Sequence, residues 1–320
     1  MIIADIRKTE MLPGLAERKE SFLERLTSPS GKTKYKRYIG SPLRYAGGKS
    51  LAVGLIADLI PDNTKRIISP FLGGGAVEIA CAKELDIPVI GYDIFDILMN
   101  YWDVQLHNPI ALYERLLEFS PTRETFKQVK TRLKEHWTTD NKLDKIGLAA
   151  YYYFNSNTSY GPHFLGWPSN VYLKPKRYET MIEKLRDFRA PNMEVGCMSF
   201  EDSIPLYEND FLYCDPPYYL DGDSKMFIGM YPHRNFPIHS KNFNHEKLRD
   251  LLLSHKGGFI LSYNDCSTIR DWYKDCNIST PKWQYTFSQG DTRIGANRLE
   301  HNNGSYIKKS HELLIWNLPR

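Results

Sequence analysis

The sequence predicts an α/β fold built on an open sheet, and three stretches predict it. In the first, the strand pattern Arg66-Ile67-Ile68-Ser69-Pro70 runs into the glycine turn Phe71-Leu72-Gly73-Gly74-Gly75 and then a helix, Ala76 to Leu85. In the second, Val89-Ile90-Gly91-Tyr92-Asp93 reads as a strand that ends in an acid, 20 positions after Gly73. Strand, glycine turn, helix, strand and acid in that order form the skeleton of a cofactor site with a ribose. The glycines admit backbone close to a ligand, and the acid accepts hydrogen bonds from ribose hydroxyls. The third stretch is Phe211-Leu212-Tyr213-Cys214-Asp215-Pro216-Pro217-Tyr218-Tyr219, an apolar run stopped by two prolines. The strand ends near Asp215, because proline can neither donate to a ladder nor flex at φ. A carboxylate, a stiff corner and two rings are left at the carboxyl edge, where open α/β sheets bind ligands. Such a corner suits fixed acceptors around a flat, amine-bearing molecule.

The remaining elements follow in chain order. Leu15 to Leu26 carries a partial apolar stripe and predicts a helix. Ser28 through Arg37 is polar and basic and reads as a linker or flexible arm, so residues 1–40 form a basic arm with one helix. Ser41-Pro42-Leu43-Arg44-Tyr45-Ala46-Gly47-Gly48-Lys49-Ser50 precedes a helix from Leu51 to Ile60. Exposed N–H groups before a helix, with Lys49 beside them, favour an anion. The ending also resembles part of a P-loop, but the first glycine of that motif would fall on Leu43. Asp96 to about Tyr160 is helical, with Pro109 and Pro121 opening new segments. Asn155 to Pro162 reads as a polar loop, followed by Trp167, Tyr172, Lys174, Lys176, Arg177 and Tyr178. Interleaved amides, cations and rings suit phosphate contacts and base stacking, or else a surface loop with ring anchors. Asp221 to Asn242 reads as a loop over the site. His245 to His255 and Thr268 to Lys274 read as helices; Gly258 to Tyr263, Trp283 to Phe287 and Leu313 to Trp316 read as strands. Arg293, Arg298, Lys308 and Lys309 sit in a basic stretch before the last strand.

Composition narrows the function classes. The chain has 320 residues and a net charge of +4, enough for one large domain or two modest ones. No apolar run approaches the roughly 20 residues of a membrane span, and the charged N-terminus does not read as a signal peptide. Cys81, Cys197, Cys214, Cys266 and Cys276 are odd in number and scattered, against a disulfide framework or zinc site and for a reducing, cytoplasmic setting. No metal-ligand cluster is visible, so no metal is expected. Charge is uneven: net +6 over residues 1–50, −6 over 51–120 and +6 over 121–190. Such alternation fits a polyanion lying over the basic blocks, although charge alone favours plain solvated helix faces.

Taken together and in order, SPLRYAGGKS, SPFLGGGAVEIA, the acid of VIGYD and YCDPPYY resemble the Dam-like, D12-class (alpha-group) adenine-N6 DNA methyltransferases. The match is close over about residues 41–100 and 210–220. The resemblance implies a Rossmann-like methyltransferase sheet with helices on both faces, plus a mainly helical target-recognition insertion. It divides the chain into the 1–40 arm, a catalytic domain over 41–114 and 206–320, and a recognition insertion over 115–205. It implies S-adenosylmethionine as cofactor, held by Tyr45, Ala46, Gly47, Lys49, Pro70, Phe71, Gly73, Gly74, Gly75, Asp93 and Asp215. It implies double-stranded DNA as partner, with a paired restriction endonuclease a further candidate, and does not fix the oligomeric state. Asp215, Pro216, Pro217 and Tyr218 become the catalytic corner. Asp215 and the Pro216 carbonyl accept the two N–H bonds of the adenine amine, and Tyr218 stacks on a base flipped from the duplex. One departure is visible: the family commonly has Glu where this chain has Ser69.

Other readings remain at this stage. Related corners act on RNA adenine, cytosine-N4 or a protein amide, although the protein-amide enzymes usually carry Asn where this chain has Asp215. A nicotinamide-dependent oxidoreductase shares a glycine turn, but FLGGGAV is not GxGxxG and leaves the Asp-Pro-Pro-Tyr corner unexplained. A DNA-binding module with a dead site would not need Lys49, Asp93 and Asp215 together.

Overall fold

The computed structural model describes residues 14–29, 31, 33–162, 164–219, 243–281 and 312–319. The expected strand at Trp283 to Phe287, the Asp221 to Asn242 loop and the cations Arg293, Arg298, Lys308 and Lys309 lie outside them. Seven strands form one sheet in the order β3-β2-β1-β4-β5-β7-β6. They are β1 (Ile67–Ser69), β2 (Val89–Asp93), β3 (Met193–Cys197), β4 (Phe211–Cys214), β5 (Phe259–Asn264), β6 (Asn277–Ser279) and β7 (Glu312–Asn317). The first five run parallel, and β7 pairs antiparallel with both β5 and β6. This is the expected Rossmann-like arrangement, with the strand order reversing between β1 and β4.

Neighbouring residues on each central strand point to opposite faces, as strand geometry requires. Ile67, Tyr213, Ile260 and Leu314 join one apolar cluster; Ile68, Leu212, Leu261 and Ile315 join the other. The first cluster takes in α1 (Leu15–Leu26), α2 (Val53–Leu59), α3 (Ala76–Glu84), α4 (Asp96–His107), α5 (Pro109–Leu117), α6 (Arg123–Thr138), α7 (Lys145–Thr158) and α8 (Pro175–Asp187). The second takes in α9 (Phe200–Leu206), α10 (His245–Ser254) and α11 (Ser267–Trp272). Helix starts follow local chemistry. Pro109 and Pro175 occupy first-turn positions, and the side chains of Thr122, Asp144, Ser199 and Asn244 cap by accepting backbone N–H bonds. Among the described residues no helix is long and apolar enough to cross a membrane.

Three expectations change. The described part of the 1–40 arm is packed, not flexible: Phe22 and Leu26 are buried, and Tyr35 seals against Gly54 of α2. Arg18 donates to the Leu85 carbonyl, Lys19 to that of Ile60, and Lys34 pairs with Asp58 at 2.6 Å, so these cations serve the protein itself. Next, β3 falls inside the segment expected as insertion, 115–205. It pairs along β2 from Val89↔Met193 to Asp93↔Cys197, so the sheet resumes before residue 206 and the purely helical stretch is α4 to α8. Last, Asn155, Ser156, Asn157, Thr158 and Ser159 are buried, the first four as the closing turn of α7, where a polar surface loop was expected.

Because Phe22 is only 2% exposed, Phe22→Ala is expected to destabilise the folded chain by about 3–5 kcal/mol. Urea unfolding checks this; a detached arm would leave the transition unmoved.

Candidate active site

The strand order reverses between β1 and β4, and their carboxyl ends bring the candidate residues together. β4 stops at Cys214, and Asp215 follows it onto the Pro216-Pro217 corner. Lys49 Nζ lies 2.5 Å from Asp215 Oδ1, with side-chain exposures of 4% and 21%. The expected anion beside Lys49 is therefore this carboxylate. The ammonium also donates to the Gly47 carbonyl at 3.3 Å and lies 5.2 Å from the centre of the Tyr218 ring. Burial pushes the Asp215 carboxyl above its ordinary value, and Lys49 partly holds it down.

The glycine turn is held from three sides. Asp93 accepts the Gly73 N–H at 3.1 Å and the Phe95 N–H at 3.0 Å; Trp102 donates its indole N–H to the Gly73 carbonyl at 2.9 Å; Ser41 Oγ donates to the Gly74 carbonyl at 2.8 Å. Gly73 and Gly75 have φ of 47° and 64°, a region that favours glycine. Tyr45 lies against the turn: a Cβ on Gly74 would stand 2.6 Å from the Tyr45 Cβ. Burial raises the Asp93 carboxyl, opposed by the N–H groups of Phe95, Gly73 and Ile94. Phe71 stacks at a tilt against Phe200 at 5.5 Å and Phe243 at 5.8 Å. One continuous set of contacts thus runs from Tyr45 through Gly73, Gly74 and Asp93, while Lys49 on the same loop reaches Asp215. Ala46 and Gly47 lie between them in sequence, and Pro70 is buried where β1 ends.

Two acids escaped the sequence reading. Glu78, on α3, is 2% exposed and accepts a 2.6 Å hydrogen bond from the hydroxyl of Ser69, itself fully buried. Burial pushes Glu78 up to about 7, helped by the Asp215 charge and opposed by Lys49. Ser69, the position where the family commonly has Glu, thus donates to an acid on the facing helix. A lone acid inside the apolar run Ala76-Val77-Glu78-Ile79-Ala80 was the available signal. Glu312, on β7, accepts the Tyr218 hydroxyl, so Tyr218 is anchored and only 5% exposed. His245 hydrogen-bonds the Tyr263 hydroxyl, and burial pushes its imidazole down to about 4.

The expected nucleic-acid contacts divide. Lys174, Lys176 and Arg177 are exposed, as is Trp167 at 77%. Tyr178 is a core residue that donates to the Leu116 carbonyl at 2.7 Å, and the Tyr172 ring is covered by the guanidinium of Arg44 at 3.5 Å.

Glu78 makes a pH-dependent contribution whose sign follows from its raised value. A folded state that holds this proton more tightly is favoured fully below the ordinary 4.5 and loses that advantage as pH rises through about 7. Glu78→Gln removes the term while keeping an acceptor for Ser69. Between pH 5 and 8 the variant is expected to gain on the parent by up to about 3 kcal/mol in urea unfolding. Parallel stability curves would contradict this.

Comparison with known proteins agrees with this geometry. The family model for the D12 class N6 adenine-specific DNA methyltransferase matches residues 45–287. The chain is 27% identical over 299 residues to the type II methyltransferase M.FokI of Planomicrobium okeanokoites, covering 87% of this chain and 45% of that protein. It is 25% identical over 256 residues to the type II methyltransferase M1.LlaDCHI of Lactococcus lactis subsp. cremoris, covering 73% and 84%. With the DNA adenine methylase of Haemophilus influenzae it shares 21% over 266 residues, covering 77% and 87%. The chain therefore spans less than half the length of M.FokI but most of the length of the other two. By the extent of the family match, the chain belongs to the D12 class of N6 adenine-specific DNA methyltransferases.

Proposed function

We propose that the chain transfers a methyl group from S-adenosylmethionine to the exocyclic amine of an adenine flipped out of duplex DNA. The observation that carries this reading is the Lys49–Asp215 pair at the sheet's switch point, on the loop that also packs Tyr45 against the glycine turn. The residues present fit the cofactor. Asp93 faces the turn with a carboxylate suited to ribose hydroxyls, Gly73 and Gly74 carry no Cβ, and Phe71 supplies an apolar ring. Tyr45, Ala46, Gly47, Lys49, Pro70, Phe71, Gly73, Gly74, Gly75 and Asp93 would hold it. When bound, it supplies an electrophilic methyl.

The chain's own residues do the rest. The lone pair of the adenine amine is delocalised into the ring, so the nitrogen is a poor nucleophile. Asp215 and the carbonyl of Pro216 accept its two N–H bonds and favour a geometry with the lone pair free. Pro216 and Pro217 keep those acceptors from moving, and Lys49 opposes the upward pull of burial on the Asp215 carboxyl. Fixed acceptors and a held nucleophile supply electrostatic preorganisation and proximity. Tyr218, anchored through Glu312, fixes the place where the base stacks. The helical segment within 115–205 serves as the target-recognition region, and residues 41–114 with the strands from β3 onward form the catalytic domain. The relatives' names point to the modification half of a restriction–modification pair.

The test is direct. Purified protein, labelled methyl donor and assorted DNAs and RNAs are incubated, the polymers digested and the labelled nucleoside identified. N6-methyldeoxyadenosine is expected; label in a ribonucleoside or on cytosine-N4 would overturn the reading. Asp215→Ala is expected to lower turnover by roughly 10²–10³-fold with DNA affinity largely kept. Circular dichroism guards against unfolding on loss of the pair with Lys49.

Binding is also expected to weaken steeply with salt, because exposed Lys127, Lys134, Lys174, Lys176 and Arg177 would displace counterions. A plot of log affinity against log salt should have a slope of roughly −4, falling by about 2 to 3 when Lys174, Lys176 and Arg177 become Gln.

A further inference from the structure

We propose that Arg44 is a positioning residue that couples the helical insertion to the catalytic corner; this rests on the preceding reading of the insertion as the DNA-recognition region. The Arg44 guanidinium lies 3.5 Å from the Tyr172 ring centre and donates through Nη1 to the carbonyls of Asn157 at 2.8 Å and Ser159 at 2.9 Å. Its backbone N–H donates to Asn157 Oδ1 at 2.9 Å, and Asn157 Nδ2 donates in return to the Pro42 carbonyl at 3.0 Å. Asn157 and Ser159 are at most 1% exposed, and their bonds to Arg44 are partly buried.

The clasp joins two parts with different tasks. On the insertion side it gathers the end of α7 and the segment leading to exposed Trp167 and the cations Lys174, Lys176 and Arg177. On the other side Arg44 immediately precedes Tyr45, which packs on the glycine turn, and stands five positions before Lys49, which pairs with Asp215. A shift of Asn157, Ser159 and Tyr172 on DNA moves Arg44 through four contacts at once and Pro42 through a fifth, and so moves the loop that places Lys49 and Tyr45. Cation–π stacking together with a two-carbonyl fork needs the planar guanidinium; lysine keeps the charge but loses both geometries. Arg44 here acts through other residues and need not touch the substrate.

Two variants test the coupling from opposite ends: Tyr172→Leu in the insertion and Arg44→Lys in the loop. Hydrogen exchange in the DNA-free chain is followed at the amides of residues 44–49, with β4 and α3 as internal references. Both variants are expected to speed exchange at 44–49 by roughly tenfold or more and to leave the references unchanged. On DNA, single-turnover methyl transfer is expected to fall roughly tenfold while DNA affinity stays within about twofold. Unchanged exchange at 44–49 in Tyr172→Leu overturns the proposal. So does lost affinity with an intact transfer rate, which would make Arg44 a plain DNA contact. A parent chain that methylates no nucleic acid defeats the preceding functional reading, and the exchange measurement then decides the coupling alone.

Discussion

The ion pair between Lys49 and Asp215 fixes the rest of the site. Both side chains are largely withdrawn from water, and removing one partner of such a pair costs about 3–5 kcal/mol because the other charge stays buried. The loop 41–50 is therefore held at the end of β4, although nothing in local sequence places it there. Once held, the loop has little choice: Tyr45 packs on Gly73 and Gly74, while Ser41 bonds the carbonyl of Gly74. One electrostatic contact sets where the glycine turn with Tyr45 and the Asp-Pro-Pro-Tyr corner stand relative to each other.

The charge around that contact is graded by burial. Glu78, Asp93 and Asp215 are all pushed upward by desolvation, but their compensation differs. Asp215 is held down by an ammonium, Asp93 by backbone N–H groups, and Glu78 by the Ser69 hydroxyl, its own backbone N–H and, last, Lys49. Glu78 still sits near 7, because its burial outweighs them. Ser69, where the family commonly has Glu, thus donates to a buried acid that faces it from α3.

Central elements were legible in the sequence and edges were not. β1, β2, β4 and β5 are covered on both faces, and their apolar runs announce them. β3 and β6 stand at the two margins of the sheet, where partial burial demands few apolar residues, and neither was anticipated. Motif residues bound by backbone geometry, such as Gly73, Asp93 and Asp215, could be read because their chemistry restricts the residue type. Glu312 and the Arg44 clasp could not, since each works through a partner distant in sequence, whereas Glu78 left only the trace of a lone acid in an apolar run. The packed arm has the same origin: Phe22 and Tyr35 look unremarkable until α2 and α3 are seen to lie against them.

Topology explains how the helical insertion is joined to the candidate site. The helical insertion leaves the sheet directly after Asp93, at the carboxyl edge of β2 that also carries the glycine-turn contacts. It returns through β3 on the far side of β2, leaving α4 to α8 to pack as one body over a single face. Such a body is tied to the glycine turn through Trp102 of α4, which bonds the Gly73 carbonyl, and again at the end of α7. There Asn157 and Ser159 bond Arg44, on the loop that leads to Tyr45 and Lys49. Two attachments resist rotation where one does not, so the end of α7 cannot turn without pulling on the loop of Lys49. That loop in turn is fixed to the corner after β4 by the pair of Lys49 with Asp215.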